Sequence, residues 1–261
     1  MTNLTMKQKT LIVLCTLIGV VAIVVSTVFA TVAYLTSSAA VSNVFTIGDV
    51  GITMTESKVD SNGVMTDGGA TQVDTNTYHL VPGKTYTKDP RVTVDANSEN
   101  SYLFVLVRND IEAIEDTSKS TIAKQLNDNG WAKYIKAATG WVYVYVGFSE
   151  QEVEGVPTLV SNAPDFAEEQ NREATYKYIF DGDDADTIPD VTFVRGGESY
   201  TLFEEFSIGN IGDNEISKYG AAKITLTAVA IQETANFVNG VHDAWAAVIE
   251  TYPYIHTGTN S

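Results

Sequence analysis

The stretch SYLFVLVRN, residues 101–109, carries apolar side chains at odd and even positions alike. Successive side chains of a β-strand point to opposite faces of its sheet, so a strand of this kind needs cover on both faces. We therefore predict that residues 101–109 form a strand in the middle of a sheet.

Strand patterns continue on both sides of this stretch. WVYVYVGF, residues 141–148, alternates three aromatic side chains with three valines, and AAKITLTAVAIQE, residues 221–233, alternates apolar side chains with threonines. Further strands are predicted in GITMTES (51–57), YHLVPGKTYTKDPRVTVDA (78–96, with a turn at Pro82 and Gly83), ATYKYIF (174–180) and ESYTLFEEFSI (198–208). Many strands with frequent turn residues predict an all-β fold, a single β-sandwich of jelly-roll-like form.

Two segments have helical character, and we expect them as inserts in the β fold. The first covers residues 117–129 and ends before Gly130. The second, residues 236–252, is amphipathic and stops at Pro253. Its apolar side chains recur at helical spacing: Phe237, Val241, Trp245, Val248, Ile249 and Tyr252. We predict that this C-terminal helix packs on the sheet.

The N-terminus has the layout of an export signal. Lys7 and Lys9 precede an uncharged apolar run, residues 11–30, and the small residues Thr31 and Ala33 then stand at the −3 and −1 positions for cleavage before Tyr34. The run is also long enough to span a bilayer, so an uncleaved anchor is the alternative. Both interpretations place the bulk of the chain outside the cytoplasm. We assign residues 1–33 to a cleaved signal peptide and residues 49–261 to one domain.

The charge is strongly acidic, with a formal net value of −17. Without Lys7 and Lys9, the 16 basic residues fall to 14 against 33 acidic ones, and the net charge becomes −19. Nucleic acids and anionic membranes require clustered cations, so neither is an expected partner. The only cysteine, Cys15, lies inside the apolar run, which excludes disulfides and thiolate sites from the mature product.

Motifs for catalysis or metal binding are weak. His79, His242 and His256 belong to no zinc-protease motif. The segment DGDDADTIPD, residues 181–190, offers carboxylates of Asp181, Asp183 and Asp186 that suit calcium, but it lacks the EF-hand pattern. An exposed acidic loop is the simpler interpretation, so we expect no cofactor. Calcium at this loop, or zinc held by the histidines together with carboxylates, is the alternative.

Three stretches together resemble the TasA/camelysin family of Gram-positive bacteria, whose signal peptide is cut by a dedicated signal peptidase. They are AYLTSSAAVSNVFTIGDVGITMTE (33–56), HLVPGKTYTKDPRVTVDANSENSYLFVLVRN (79–109) and ITLTAVAIQETANF with AWAAV (224–237 and 244–248). The segment from about residue 110 to residue 190 lies outside the resemblance. The resemblance implies a secreted jelly-roll protein that forms biofilm-matrix fibres by donor-strand exchange. The camelysin branch is also classed as metallopeptidase, an activity for which this chain shows no motif.

Physical reasoning supports the donor-strand expectation for residues 34–48, which carry no charge. Fully extended, the segment reaches roughly 50 Å, whereas a compact domain of this size is roughly 45 Å across. It can therefore reach a neighbouring subunit, where its apolar side chains would be buried. Those side chains are Leu35, Val41, Val44, Phe45 and Ile47. The alternatives are that the segment is the first strand of its own sheet, or a flexible stalk.

The sequence thus predicts a secreted, non-enzymatic protein that self-associates into extracellular fibres, with accessory matrix proteins as further candidate partners. It meets a signal peptidase during export and a membrane only before cleavage. Two other functions stay open. One is a surface metallopeptidase built from the histidines and carboxylates. The other is a monomeric adhesin whose aromatic side chains bind glycans, with Trp131, Tyr134 and Trp141 as the candidates. Packing in the core is the simpler interpretation of these three side chains.

Overall fold

The computed structural model describes residues 38–39, 41–153, 156–163, 191–237 and 240–252, and the fold is predominantly β. The strands are β1 (Ser38–Ala39), β2 (Val41–Ile47), β3 (Ile52–Ser57), β4 (Gln72–Val73), β5 (Thr77–Tyr78), β6 (Thr85–Thr87), β7 (Arg91–Val94), β8 (Ser101–Asn109), β9 (Trp131–Ala137), β10 (Gly140–Tyr145), β11 (Phe148–Val153), β12 (Val156–Ser161), β13 (Ser199–Thr201), β14 (Glu205–Ser207) and β15 (Ile224–Gln232). The helices are α1 (Ile122–Asp128), α2 (Asp213–Ile216) and α3 (Val241–Thr251), with 3-10 turns at Glu112–Ile114 and Ser217–Tyr219.

The larger sheet has five strands in the order β2-β15-β8-β10-β9. Its neighbours are antiparallel except for β2, which runs parallel to β15. β8 occupies the central position and is buried on both faces, as predicted from its sequence. The two faces of β10 also separate as predicted, because Tyr143 and Tyr145 lie in one core cluster while Val142 and Val144 lie in the other.

A second layer covers one face of the large sheet. It contains the four-stranded sheet β13-β7-β3-β4 and the β6–β14 pair. Side chains from both layers share one apolar core, in which Val92 of β7, Leu103 of β8 and Phe206 of β14 are inaccessible to solvent. This packing confirms the predicted cover on the first face of β8.

Helix α3 covers the opposite face of the five-stranded sheet. Trp245 is fully buried, and its ring lies 5.1 Å from that of Phe104 on β8. Val241, Ala244 and Val248 join the same cluster. The predicted amphipathic C-terminal helix and its Trp245 contact with the sheet are therefore confirmed.

Helix boundaries differ from the sequence expectations for local reasons. Helix α1 begins at Ile122 rather than near residue 117, since Asp116 accepts hydrogen bonds from Ser118 and forms a turn there. Thr121 then caps the helix through the amide of Lys124. Helix α3 begins at Val241 because Gly240 has a φ of 54°, which interrupts the helical path. The predicted strand at 174–180 lies outside the described residues.

Candidate functional site

The N-terminal strand β2 lies at the end of the five-stranded sheet, against β15. The register pairs Val41 with Thr225 and continues through Ile47 with Ile231. A strand that joins a sheet in this way satisfies backbone groups of β15 that would otherwise form an open edge. Pairing along the whole of β2 makes the β2–β15 edge the candidate site for assembly.

The apolar side chains of β2 divide between the two faces of the sheet. Phe45 and Ile47 lie on the face covered by helix α3 and pack against its core cluster. The Phe45 ring lies 4.9 Å from that of Tyr252, whose hydroxyl donates a hydrogen bond of 3.1 Å to the Thr46 carbonyl. Val44 is the register partner of Ala228 on the other face and remains 40% exposed. These contacts hold β2 to the sheet while leaving it only partly buried.

A short glycine-containing connection separates β2 from the remainder of the fold. Gly48 has a φ of 90°, and a methyl group there would lie 2.7 Å from the Gln232 side chain. That same Gln232 accepts a hydrogen bond of 2.9 Å from the Asp49 amide. Val50 and Ile52 then enter the core. The connection between Ile47 and Val50 is therefore the position at which β2 could change partners.

The described part of the predicted donor segment forms β1 and β2, and β1 pairs antiparallel with β5 of the same chain. Val44, Phe45 and Ile47 lie in β2, as does the backbone of Val41. Within one chain, β2 joins its own sheet, which is the alternative that the sequence left open. A second copy would meet the same surface of β15, so exchange between subunits stays a prediction. Leu35 and the predicted cleavage residues Thr31, Ala33 and Tyr34 lie outside the described residues.

The acceptor side of this site was not predicted from the sequence. Val229 and Ile231 of β15 face helix α3 and are nearly inaccessible. Tyr252 donates to the Thr46 carbonyl of β2, and Gln232 accepts from the Asp49 amide that follows the strand. The side-chain alternation of β15 predicts its two faces, but it does not predict which strand lies at its edge. That neighbour is distant in sequence, and no local pattern specifies it.

Among the described residues, the structure does not bring the candidate metal ligands together. Within the described ranges, no group of three or more His, Cys, Asp or Glu side chains is placed to hold a metal ion. His242 Nδ1 lies 3.1 Å from the Tyr134 hydroxyl, and burial lowers the pKa of this histidine. His79 contributes its carbonyl to a hydrogen bond with Tyr86. Asp181, Asp183, Asp186 and His256 fall outside the described part of the chain.

The aromatic residues considered for glycan binding separate by burial. Trp131 is fully buried and Tyr134 is 3% exposed, which confirms the core packing expected for these two and excludes them from a surface platform. Trp141 is partly exposed, with the Lys133 ammonium 3.9 Å from its ring. Trp141 lines a cleft of about 450 Å³ together with Lys136 and the buried Glu115.

Glu115 is the most perturbed carboxyl group of this cleft. Burial raises its pKa from 4.5 to about 6, an effect that a hydrogen bond from the Ile122 amide partly offsets. The Asn109 side-chain amide donates to its other oxygen. Both carboxyl oxygens thus have donors, which suits a structural role at the base of the cleft.

Comparison with known proteins found no matching family model, no significantly similar curated protein and no significantly similar solved structure. Within the described residues, no helix has the length and apolar character needed to cross a membrane.

Proposed function

We propose that the protein is a secreted structural subunit, without enzymatic activity, that polymerises into extracellular fibres. Strand β2 of one subunit occupies the β15 edge of the next. The observation that carries this proposal is the pairing of an uncharged N-terminal strand with β15 along its whole length, beside the connection at Gly48. The TasA/camelysin resemblance of the sequence supports the same function and the biofilm matrix as its location.

Exchange between subunits is favoured because it repeats the contacts made within one chain. The incoming β2 would pair with residues 225–231 and place Phe45 against Tyr252 of the receiving subunit. An element that is identical in every copy can be exchanged at low cost in free energy. Since each subunit donates β2 at one position and accepts it at another, the contact is head-to-tail and does not close on itself. Repetition therefore produces a filament.

The arrangement of the layers supports a jelly-roll-like β-sandwich as the fold of this subunit. Sheet β2-β15-β8-β10-β9 and sheet β13-β7-β3-β4 share one core, and β2 lies at an end of the first sheet. Loss of β2 from such a fold would leave the two central core clusters intact, since its Val44 is half-exposed and its Phe45 lies at the border of the core. A subunit can thus stay folded while its first strand changes partner.

Deletion of residues 34–48 tests the function. The truncated mature protein should be folded by circular dichroism and should form no filaments under negative-stain electron microscopy, whereas the intact mature protein does. Filaments formed by the truncated protein would contradict the proposal.

A peptide with the sequence of residues 34–48 provides the matched control for that deletion. Added to the truncated protein, it should bind and raise the midpoint of thermal unfolding, because it restores pairing to β15. A peptide of scrambled sequence should do neither. Equal binding of both peptides would show that β15 does not specify the strand.

A monomeric binding domain is the second candidate function, favoured by the cleft that Trp141, Lys136 and Glu115 line. Clefts of this size commonly accommodate small ligands. Size-exclusion chromatography of the processed protein distinguishes the two functions, because this candidate requires a stable monomer and the fibre subunit does not.

A further inference from the structure

Two opposite charges are completely buried in the second layer. Glu56 ends the inward-facing series Ile52, Met54 and Glu56 of β3, and Lys88 follows Tyr86 at the next inward position after β6. Both side chains have no solvent exposure, and Lys88 Nζ lies 2.5 Å from Glu56 Oε2. A charged pair in such surroundings is costly, because its mutual attraction seldom repays the loss of hydration.

The burial of Lys88 disfavours its charged ammonium form. Burial lowers the pKa of the Lys88 ammonium, although the nearby Glu56 and Asp89 oppose that change. Asp89 is itself engaged by the Ser57 amide and hydroxyl and by Arg91. Transfer of one proton from Lys88 to Glu56 gives a neutral amine beside a neutral carboxylic acid. A neutral amine is a nucleophile, whereas an ammonium ion is not.

The geometry also provides a donor for the developing charge. The Asn76 amide donates a hydrogen bond of 2.9 Å to Glu56 Oε1, the oxygen that Lys88 does not contact. Asn76 is 5% exposed and is held by bonds to the Ser57 carbonyl and the Val59 amide. A fixed backbone N–H aimed at a carboxyl oxygen stabilises the oxyanion formed when a nucleophile attacks the carboxyl carbon. The amine and the donor thus each lie within hydrogen-bond distance of the acid, one at either carboxyl oxygen.

We propose that Lys88 and Glu56 condense to form an intramolecular isopeptide bond. A bond forms between Lys88 Nζ and Glu56 Cδ, and the bond from Cδ to Oε2 breaks. The carboxylic proton and one proton of the amine leave with Oε2 as one molecule of water. No oxidant, reductant or other reactant is needed.

The bond would join β3 to the connection between β6 and β7. β3 follows β2 after the short segment 48–51, so tension applied to β2 reaches β3 first. The condensation itself needs only one folded chain, so it does not depend on polymerisation. Failure of the fibre proposal would leave it unaffected.

Mass spectrometry of the denatured, intact wild-type protein tests the proposal, with the mature N-terminus determined on the same sample. The expected mass is lower than that of the sequence by one water per chain. Proteolysis should yield a branched peptide that joins the segment containing Glu56 to the segment containing Lys88. A mass equal to that of the uncondensed sequence, together with acetylation of the Lys88 amine after denaturation, would overturn the proposal. So would a water loss that maps to the Asp67–Gly68 pair, where succinimide formation has the same mass.

Two variants test which groups take part in the condensation. Lys88→Met removes the amine and should restore the full sequence mass. Glu56→Gln retains the acyl carbon and releases ammonia instead of water, so its product should have the same mass as the condensed wild-type protein. A water loss that persists in the folded Lys88→Met protein would argue against attack by this amine.

Discussion

At the residue scale, Glu115 makes stability depend on pH. Its pKa is about 6 in the folded protein against 4.5 unfolded, so the folded state binds this proton more tightly. The contribution of Glu115 to stability is therefore greatest below pH 4.5, falls as the pH rises through 6, and is lost above it. The loss attributable to this one carboxyl is about 2 kcal/mol.

Glu115→Gln should remove that contribution, because the amide stays neutral and its oxygen still accepts from Ile122. Denaturant unfolding at several pH values measures the contribution of Glu115 as the difference in unfolding free energy between the variant and the wild-type protein. Glu112→Gln is the matched control, since it removes the same charge from an exposed position. If both variants follow the wild-type pH profile, burial does not perturb Glu115.

Gly48 is the residue on which the junction of β2 and β15 depends. Gly48→Ala should lower the free energy of unfolding by about 1–2 kcal/mol for the left-handed backbone, and further for the contact with Gln232. Gly68→Ala is the control, because Gly68 has a φ of 69° with no atom near its added methyl group. Chemical denaturation should show a larger loss of unfolding free energy for Gly48→Ala than for Gly68→Ala. Equal losses would mean that the contact with Gln232 contributes nothing to stability.

At the element scale, local pattern predicted individual strands and one helix well. The bounds of β8 were predicted to the residue, since consecutive apolar side chains between polar ends are typical of a strand covered on both faces. The faces of β10 and β15 followed from strict alternation. The neighbours of β15 could not be predicted in this way, because strand order depends on contacts distant in sequence.

Buried charge was also missed at this scale, although a signal existed. Glu56 stands at an inward position of β3, and Lys88 continues the inward alternation one residue after β6, where an apolar side chain is expected. Their partnership required the structure, since 32 residues separate them. The start of α1 was missed because Asp116 and Ser118 favour a turn over a further helical turn.

Strand β2 should be sensitive to charge on its buried face. Phe45→Asp places a carboxylate against Tyr252 and Val229, which should weaken docking of β2 and abolish filaments while the subunit stays folded. Val64→Asp makes the same kind of change at an exposed site, 59% accessible, and should leave filaments intact. Electron microscopy and circular dichroism of both variants measure assembly and folding. Filaments in the Phe45→Asp protein at wild-type abundance would contradict the site.

At the scale of the whole molecule, electrostatic repulsion between acidic subunits opposes their proposed association through β2. The chain that remains after the predicted cleavage has 14 basic and 33 acidic residues, so like subunits repel. The segment 34–48 is uncharged, so a strand donated to a neighbouring subunit, as proposed, would not add to this repulsion. Screening limits the remaining repulsion to about 8 Å at physiological salt. Contact through β2 is therefore compatible with an acidic surface elsewhere.

The central claim is that β2 pairs with β15 of another subunit, and a disulfide between register partners measures this directly. A chain cleaved before Tyr34, as predicted, contains no cysteine, so Val44→Cys and Ala228→Cys would introduce its only two thiols. After assembly and oxidation of this double variant, a denaturing gel without reductant should show a ladder of covalent multimers. A single band of monomer carrying an internal disulfide would contradict exchange and establish β2 as a strand of its own subunit.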